Sequence, residues 1–165
     1  SFKEGKGRTG IAVLQDNDWN SLELKEVAAK DYKSRYEYWN DLIFRIADYK
    51  PDLVVIESFM IRTMGFLTGK MPETIQFIGC LTHYLDGCDI KWMTQTPSAA
   101  KSRFKDEDLS KYIPGFEQVT DGSGNVRFYF NSKRTNDHIR DALKHLLYFK
   151  KYKEEKMYGT RNPIE

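Results

Sequence analysis

The chain has 165 residues and a formal net charge of +2, so overall charge by itself assigns neither a nucleic-acid nor a membrane partner. That length suits one domain with a real core, and ten Tyr, ten Phe and three Trp are available to anchor it. No apolar run approaches the roughly 20 residues that span a bilayer, and no signal-peptide pattern opens the sequence, which makes a cytoplasmic protein without a membrane partner the expectation.

Residues 9–15 (TGIAVLQ) are apolar and β-prone, DNDWN follows as a turn, and SLELKEVAA alternates imperfectly as the second strand of a hairpin. Residues 33–49 predict a helix, with Tyr36, Trp39, Ile43 and Ile46 spaced by three and four, and Pro51 ends it. Leu53 to Ile56 is a continuous apolar run, the mark of a strand buried on both faces. Residues 59–71 read as a loop. Pro72 opens a second helix, carried by Ile75, Ile78, Leu81, Thr82 and Leu85 to Gly87. CDIKWMTQ reads as a strand, Thr96 and Pro97 as the start of a short helix, and QVTDGSGNVRFYF as a hairpin turning at DGSGN. TNDHIRDALKHLLYF is a closing amphipathic helix that buries Ile139, Leu143, Leu146 and Leu147. No repeat or linker interrupts this order. The expectation is one α/β domain over residues 1–165, with a mixed sheet flanked by helices.

Cys80, His83 and Cys88 form C-x2-H-x4-C, but the paired C-x2-C spacing of zinc sites is missing. The preferred reading is two reduced thiols, Cys80 on a helix face and Cys88 at the start of a strand.

The acids are more informative. Glu57 ends the apolar strand, where open α/β sheets bind ligands. A solvated strand end or an arginine partner explains it equally well. On the closing helix His138, Asp141 and His145 share one stripe at 100° per residue. Asp137, in the first turn, is better explained as a partner of the helix dipole, and His145 as a half-exposed surface histidine. Dipole electrostatics account less well for Asp141. Carboxylates from a strand end and a helix start suit Mg²⁺ or Mn²⁺ if the fold brings them together.

Four segments in order, TGIAVL, PDLVVIESFM, TQTPSAAKSRF and HIRDALKHLLYF, give the chain a resemblance to the RuvC-type Holliday-junction resolvases of the RNase H-like superfamily, and to a phage or otherwise divergent branch of them. The resemblance covers nearly the whole length. It implies an RNase H-like mixed sheet and a metal-dependent endonuclease that resolves branched DNA as a homodimer. Matched by position, Glu57 and Asp141 are metal ligands, His138 is a ligand or proton carrier, and Asp137 is a less exact match. Lys101 is the candidate for a lysine that would stabilise transition-state charge, and a solvated helix lysine explains it equally well. Phe59 resembles an aromatic that contacts bases, and a loop-anchoring role explains it as well. Mg²⁺, with Mn²⁺ as substitute, is the implied cofactor. The helix from Pro72 to Leu85 is a candidate dimer element.

Two departures stand out. The resemblance calls for an aspartate ending a first strand, yet the sequence opens SFKEGKGRTG, with only Glu4 in a Lys- and Gly-rich turn. The expectation is that the domain is truncated at that strand; the alternative is an incomplete catalytic set. The hairpin region between Phe104 and Arg134 is also more elaborate than the resemblance implies.

Basic residues cluster near the site segments: Arg62 and Lys70; Lys101, Arg103 and Lys105; Lys133 and Arg134. Such groups position phosphates without reading sequence. The run Lys150, Lys151, Lys153 and Lys156 reads as a solvated helix end. Competing readings are an RNase H-like nuclease acting on flaps, forks or RNA–DNA hybrids, and a catalytically inactive nucleic-acid-binding module.

Overall fold

The computed structural model describes residues 7–58, 73–154 and 156. Strand β1 (Arg8–Gln15) and strand β2 (Asp18–Ala28) are hydrogen-bonded neighbours. Asp16 (φ 51°) and Asn17 (φ 58°) join them, both in the left-handed backbone region that a two-residue hairpin turn demands. The turn is thus tighter than the five residues expected. Helix α1 (Arg35–Asp48), strand β3 (Leu53–Glu57), helix α2 (Glu73–Gly87), strand β4 (Lys91–Gln95) and helix α3 (Pro97–Lys101) follow. A 3₁₀ turn (Asp106–Lys111) leads to strands β5 (Phe116–Thr120), β6 (Val126–Phe130) and β7 (Lys133–Arg134), and helix α4 (Asp137–Tyr152) comes last. The class is mixed α/β. Among the described residues strand pairing gives three small sheets rather than one mixed sheet: β1–β2, β3–β4 and β5–β6–β7.

The chain divides into two compact units, Ser1–Thr9 with Val27–Pro97, and Gly10–Glu26 with Ser98–Glu165.

In the first unit, β3 and β4 are parallel, with Leu53 opposite Lys91 and Glu57 opposite Gln95. Parallel strands need a crossover, and α2 supplies it. The core gathers Ile43, Leu81 and Leu85, with Val54, Ile56, Phe77 and Ile90 packed against it. Val54 and Ile56 are two apart, so one face of β3 meets the helices. Every residue of β3 is half-buried, which corrects the expectation of burial on both faces; among the described residues β4 is its one strand neighbour. Ser34 caps α1, accepting a hydrogen bond from the Glu37 N–H at 3.2 Å. The buried face of α1 is Tyr38, Trp39, Leu42 and Ile43. Tyr36, one of the residues whose spacing marked the helix, is exposed and meets Trp39 edge-on, with Arg35 over its ring. Tyr38 sits in the face instead, sharing a 2.7 Å hydrogen bond with the Thr9 hydroxyl.

In the second unit a larger core joins Leu22, Phe104, Leu109, Ile113, Phe116, Phe128, Leu143 and Leu147. The β5–β6 hairpin turns through Asp121–Asn125 as expected. The Asp121 carboxylate accepts from the Ser123 N–H at 3.0 Å and the Asn125 N–H at 2.9 Å. A further tight turn at Asn131 and Ser132, both at positive φ, adds β7 as an edge strand. Cys88 lies in the turn after α2 rather than in a strand, because β4 begins only at Lys91. No helix of the described residues is long and apolar enough to cross a membrane.

Candidate functional site

Glu57 closes β3 in the first unit, half-buried at the carboxyl end of a parallel pair. Its ladder partner Gln95 is 4 % exposed. The Ser58 N–H donates to the Gln95 carbonyl at 2.7 Å, extending the pairing one step past Glu57.

The other acidic candidates lie on α4 in the second unit. Asn136 starts that helix: its side-chain oxygen accepts from the Ile139 N–H at 3.1 Å, and its amide donates to the Glu26 carboxylate. The helix start is thereby tied to β2. Gly10, on β1, faces the same turn. A Cβ at Gly10 would collide with the carbonyl of His138, so only glycine lets the strand backbone lie this close to α4. The T-G pair and the H-x-x-D segment therefore meet through Gly10 and His138.

Asp137 is 85 % exposed at its side chain and pairs with Arg140. His138 is exposed. Asp141 is half-buried between two cations: its Oδ2 is 2.8 Å from Lys101 Nζ, and its Oδ1 is 3.5 Å from Lys144 Nζ. Lys101, on α3, was the lysine selected from sequence. His145, expected at the surface, is 4 % exposed. One helical stripe thus runs from exposed His138 through half-buried Asp141 into the interior at His145.

Sequence reasoning missed Asp106. This acid, in the 3₁₀ turn, pairs with Arg140 at 2.7 Å and with Lys144. Burial pushes its carboxyl upward, but hydrogen bonds from Lys144 and Arg140 outweigh that and hold it below the usual carboxylate range. Arg140 and Lys144 are 9 % and 8 % exposed. Arg140 also donates to the Thr135 carbonyl at 3.1 Å and stands 4.8 Å from the centre of the Phe128 ring. The charges alternate in a chain: Lys101, Asp141, Lys144, Asp106, Arg140, Asp137. The spacing of acid and base on α4 hinted at internal pairs. No local signal pointed to Asp106, which lies 34 residues before Arg140. Asn136 is a cap-forming residue type ahead of an amphipathic run, a signal passed over; its link to Glu26 left none.

Arg103, Lys105, Lys133 and Arg134 are exposed in the second unit, the last two on edge strand β7. Glu4, Phe59, Arg62 and Lys70 lie outside the described residues, as does Pro72. Cys80 and Cys88 are both free thiols and exposed.

Asp141 has the hard oxygen atoms that suit Mg²⁺. Yet two lysines already neutralise it, and among the described residues no group of three or more His, Cys, Asp or Glu that could hold a metal ion comes together. Asp141 is clasped by Lys101 and Lys144, with Lys101 partly open to solvent (43 %). That arrangement holds Asp141 in one orientation and presents positive charge to an arriving anion.

No protein-family model matches the chain, and neither a curated protein nor a solved structure matches it.

Proposed function

We propose that the chain is an RNase H-like endonuclease that hydrolyses phosphodiesters in branched DNA, Holliday junctions above all, with Mg²⁺ and as a cytoplasmic homodimer. The observation that carries the reading is the 2.8 Å pair between Lys101 and Asp141. The pair joins two segments, 40 residues apart in number, that were each singled out by the same resemblance, and this supports the reading. The approach of Gly10 to His138 adds a third segment in the same unit. Glu57 and Asp141 are the carboxylates on which activity depends, and Mg²⁺ would supply hydroxide from bound water near neutral pH. Exposed Arg103, Lys105, Lys133 and Arg134 serve as phosphate contacts. The test is cleavage of a synthetic four-way junction in Mg²⁺ by the wild type, Glu57→Gln and Asp141→Asn.

A second reading is a nucleic-acid-binding module of the same fold class without catalysis. The neutralisation of Asp141 by Lys101 and Lys144 favours it. Junction binding that is indifferent to Mg²⁺, with no strand cut, would select this reading over the first.

A further inference from the structure

We propose that the aromatic and cationic surface at the end of α4 is a stacking platform for unpaired nucleic-acid bases. It deepens the proposed function, on which it rests for nucleic acid as the partner class, and it uses none of the candidate catalytic groups. Phe104 is its root, 2 % exposed in the core of the second unit. Tyr112 meets Phe104 edge-on at 5.5 Å, Tyr152 packs on it at 6.3 Å, and Tyr148 supports Tyr152 at 5.3 Å. Two of these rings open to solvent, Tyr112 at 40 % and Tyr152 at 39 %.

Cations already lie over these rings, which shows that their faces accept a flat or charged partner. Lys151 Nζ lies 4.7 Å from the centre of Tyr112 and 5.9 Å from those of Phe104 and Tyr152. The Arg103 guanidinium lies 5.8 Å from the centre of Tyr152. Lys151 is therefore more than part of a solvated helix end. Arg103, Lys105 and Lys151 are all exposed. The nearby acid Asp108 is paired with Lys111 at 2.7 Å, which offsets its charge.

Flat rings fixed by a buried neighbour accept another flat ring at small entropic cost. Adjacent ammonium and guanidinium groups match the phosphates that accompany a base but not its edges. Aromatic faces bordered by cations are the usual means of holding single strands without sequence preference. An acidic peptide would satisfy the cations and leave the tyrosine faces unused. Branched DNA offers unpaired or unstacked bases at its crossover, which gives the platform a use in the proposed reaction.

The test is fluorescence anisotropy of the full chain with a labelled oligothymidylate and a blunt duplex, in EDTA so that no metal-dependent cleavage contributes. The wild type is expected to prefer the single strand. Tyr112→Leu and Tyr152→Leu should each weaken its binding by about five-fold or more, and the corresponding Phe variants should retain it. Lys151→Gln should lower the slope of log affinity against log salt by about 0.7. Circular dichroism melting checks that each variant is folded. Oligothymidylate binding that is absent, or that is unchanged in both folded Leu variants, overturns the platform. Polyphosphate competing equally well against wild type and Leu variants would assign the surface to charge alone and also overturn it. A platform that binds as expected in a protein that cuts no junction in Mg²⁺ stands by itself, while the nuclease reading falls.

Discussion

Lys101 and Asp141 form a 2.8 Å ion pair between α3 and the second turn of α4. The lysine is 43 % and the aspartate 25 % exposed, so their direct contribution to stability is small, under about 1 kcal/mol. If the proposed nuclease function holds, their contribution to cleavage is expected to be much larger. Asp141→Asn should abolish junction cleavage and Lys101→Ala should reduce its rate by about 100-fold, both with melting temperatures within a few degrees of wild type. Calorimetry beside single-turnover cleavage checks this. A purely structural pair would shift the two readouts together.

Asp106 sits between Arg140 and Lys144, both nearly excluded from solvent. Removing it leaves buried Arg140 with the exposed Asp137 carboxylate and the Thr135 carbonyl, and buried Lys144 with Asp141 at 3.5 Å. Asp106→Ala should destabilise the chain by about 3 kcal/mol, and Asp106→Asn by less, because the amide oxygen still accepts one hydrogen bond. Urea titration measures both.

The same residue fixes a pH dependence. Its carboxyl is lowered in the folded chain, so the folded form binds a proton less readily than the unfolded one. Its stabilisation is complete above the unfolded value of about 4 and fades as pH falls through the lower folded value. Wild-type stability should therefore drop with acid below about pH 4, and Asp106→Asn should show a flatter acid limb. Equal acid limbs in the two proteins would remove Asp106 from the account.

Two glycines give opposite expectations. Gly10 leaves no space beside the His138 carbonyl, whereas a Cβ at Gly79, within α2, meets nothing within 4 Å. Gly10→Ala should destabilise by about 1–3 kcal/mol through overpacking. Gly79→Ala should stabilise by up to about 1 kcal/mol, because alanine is the better helix former. Thermal melts of the pair check the close approach of β1 to α4.

Much of the element order was legible because it rests on local rules: Pro51 breaks, the DGSGN turn folds back, and residues spaced by three and four make helices. Lys101 was singled out with its segment, but its ion pair with Asp141 was not foreseen, because the two lie on separate helices. Asp106 was passed over because its partners lie far along the chain and leave no local signal, whereas Tyr36 is held at the surface by its own helix neighbours. Arg35 and Trp39 occupy Tyr36 at the surface, while Arg140 and Lys144 reach Asp106 across 34 and 38 positions. Likewise β3 looked fully buried because its run is continuous, although only its Val54 and Ile56 face joins the helices.

Under the proposed function, Glu57 and Asp141 are each required for metal-dependent cleavage of branched DNA. The most direct measurement is Mg²⁺-dependent cleavage of a labelled four-way junction, run beside binding in EDTA. Nicks near the crossover are expected for the wild type, and none for Glu57→Gln or Asp141→Asn, with junction affinity retained in both. Wild-type protein that binds the junction and leaves it intact in both Mg²⁺ and Mn²⁺, or variants that cut as fast as wild type, would contradict it.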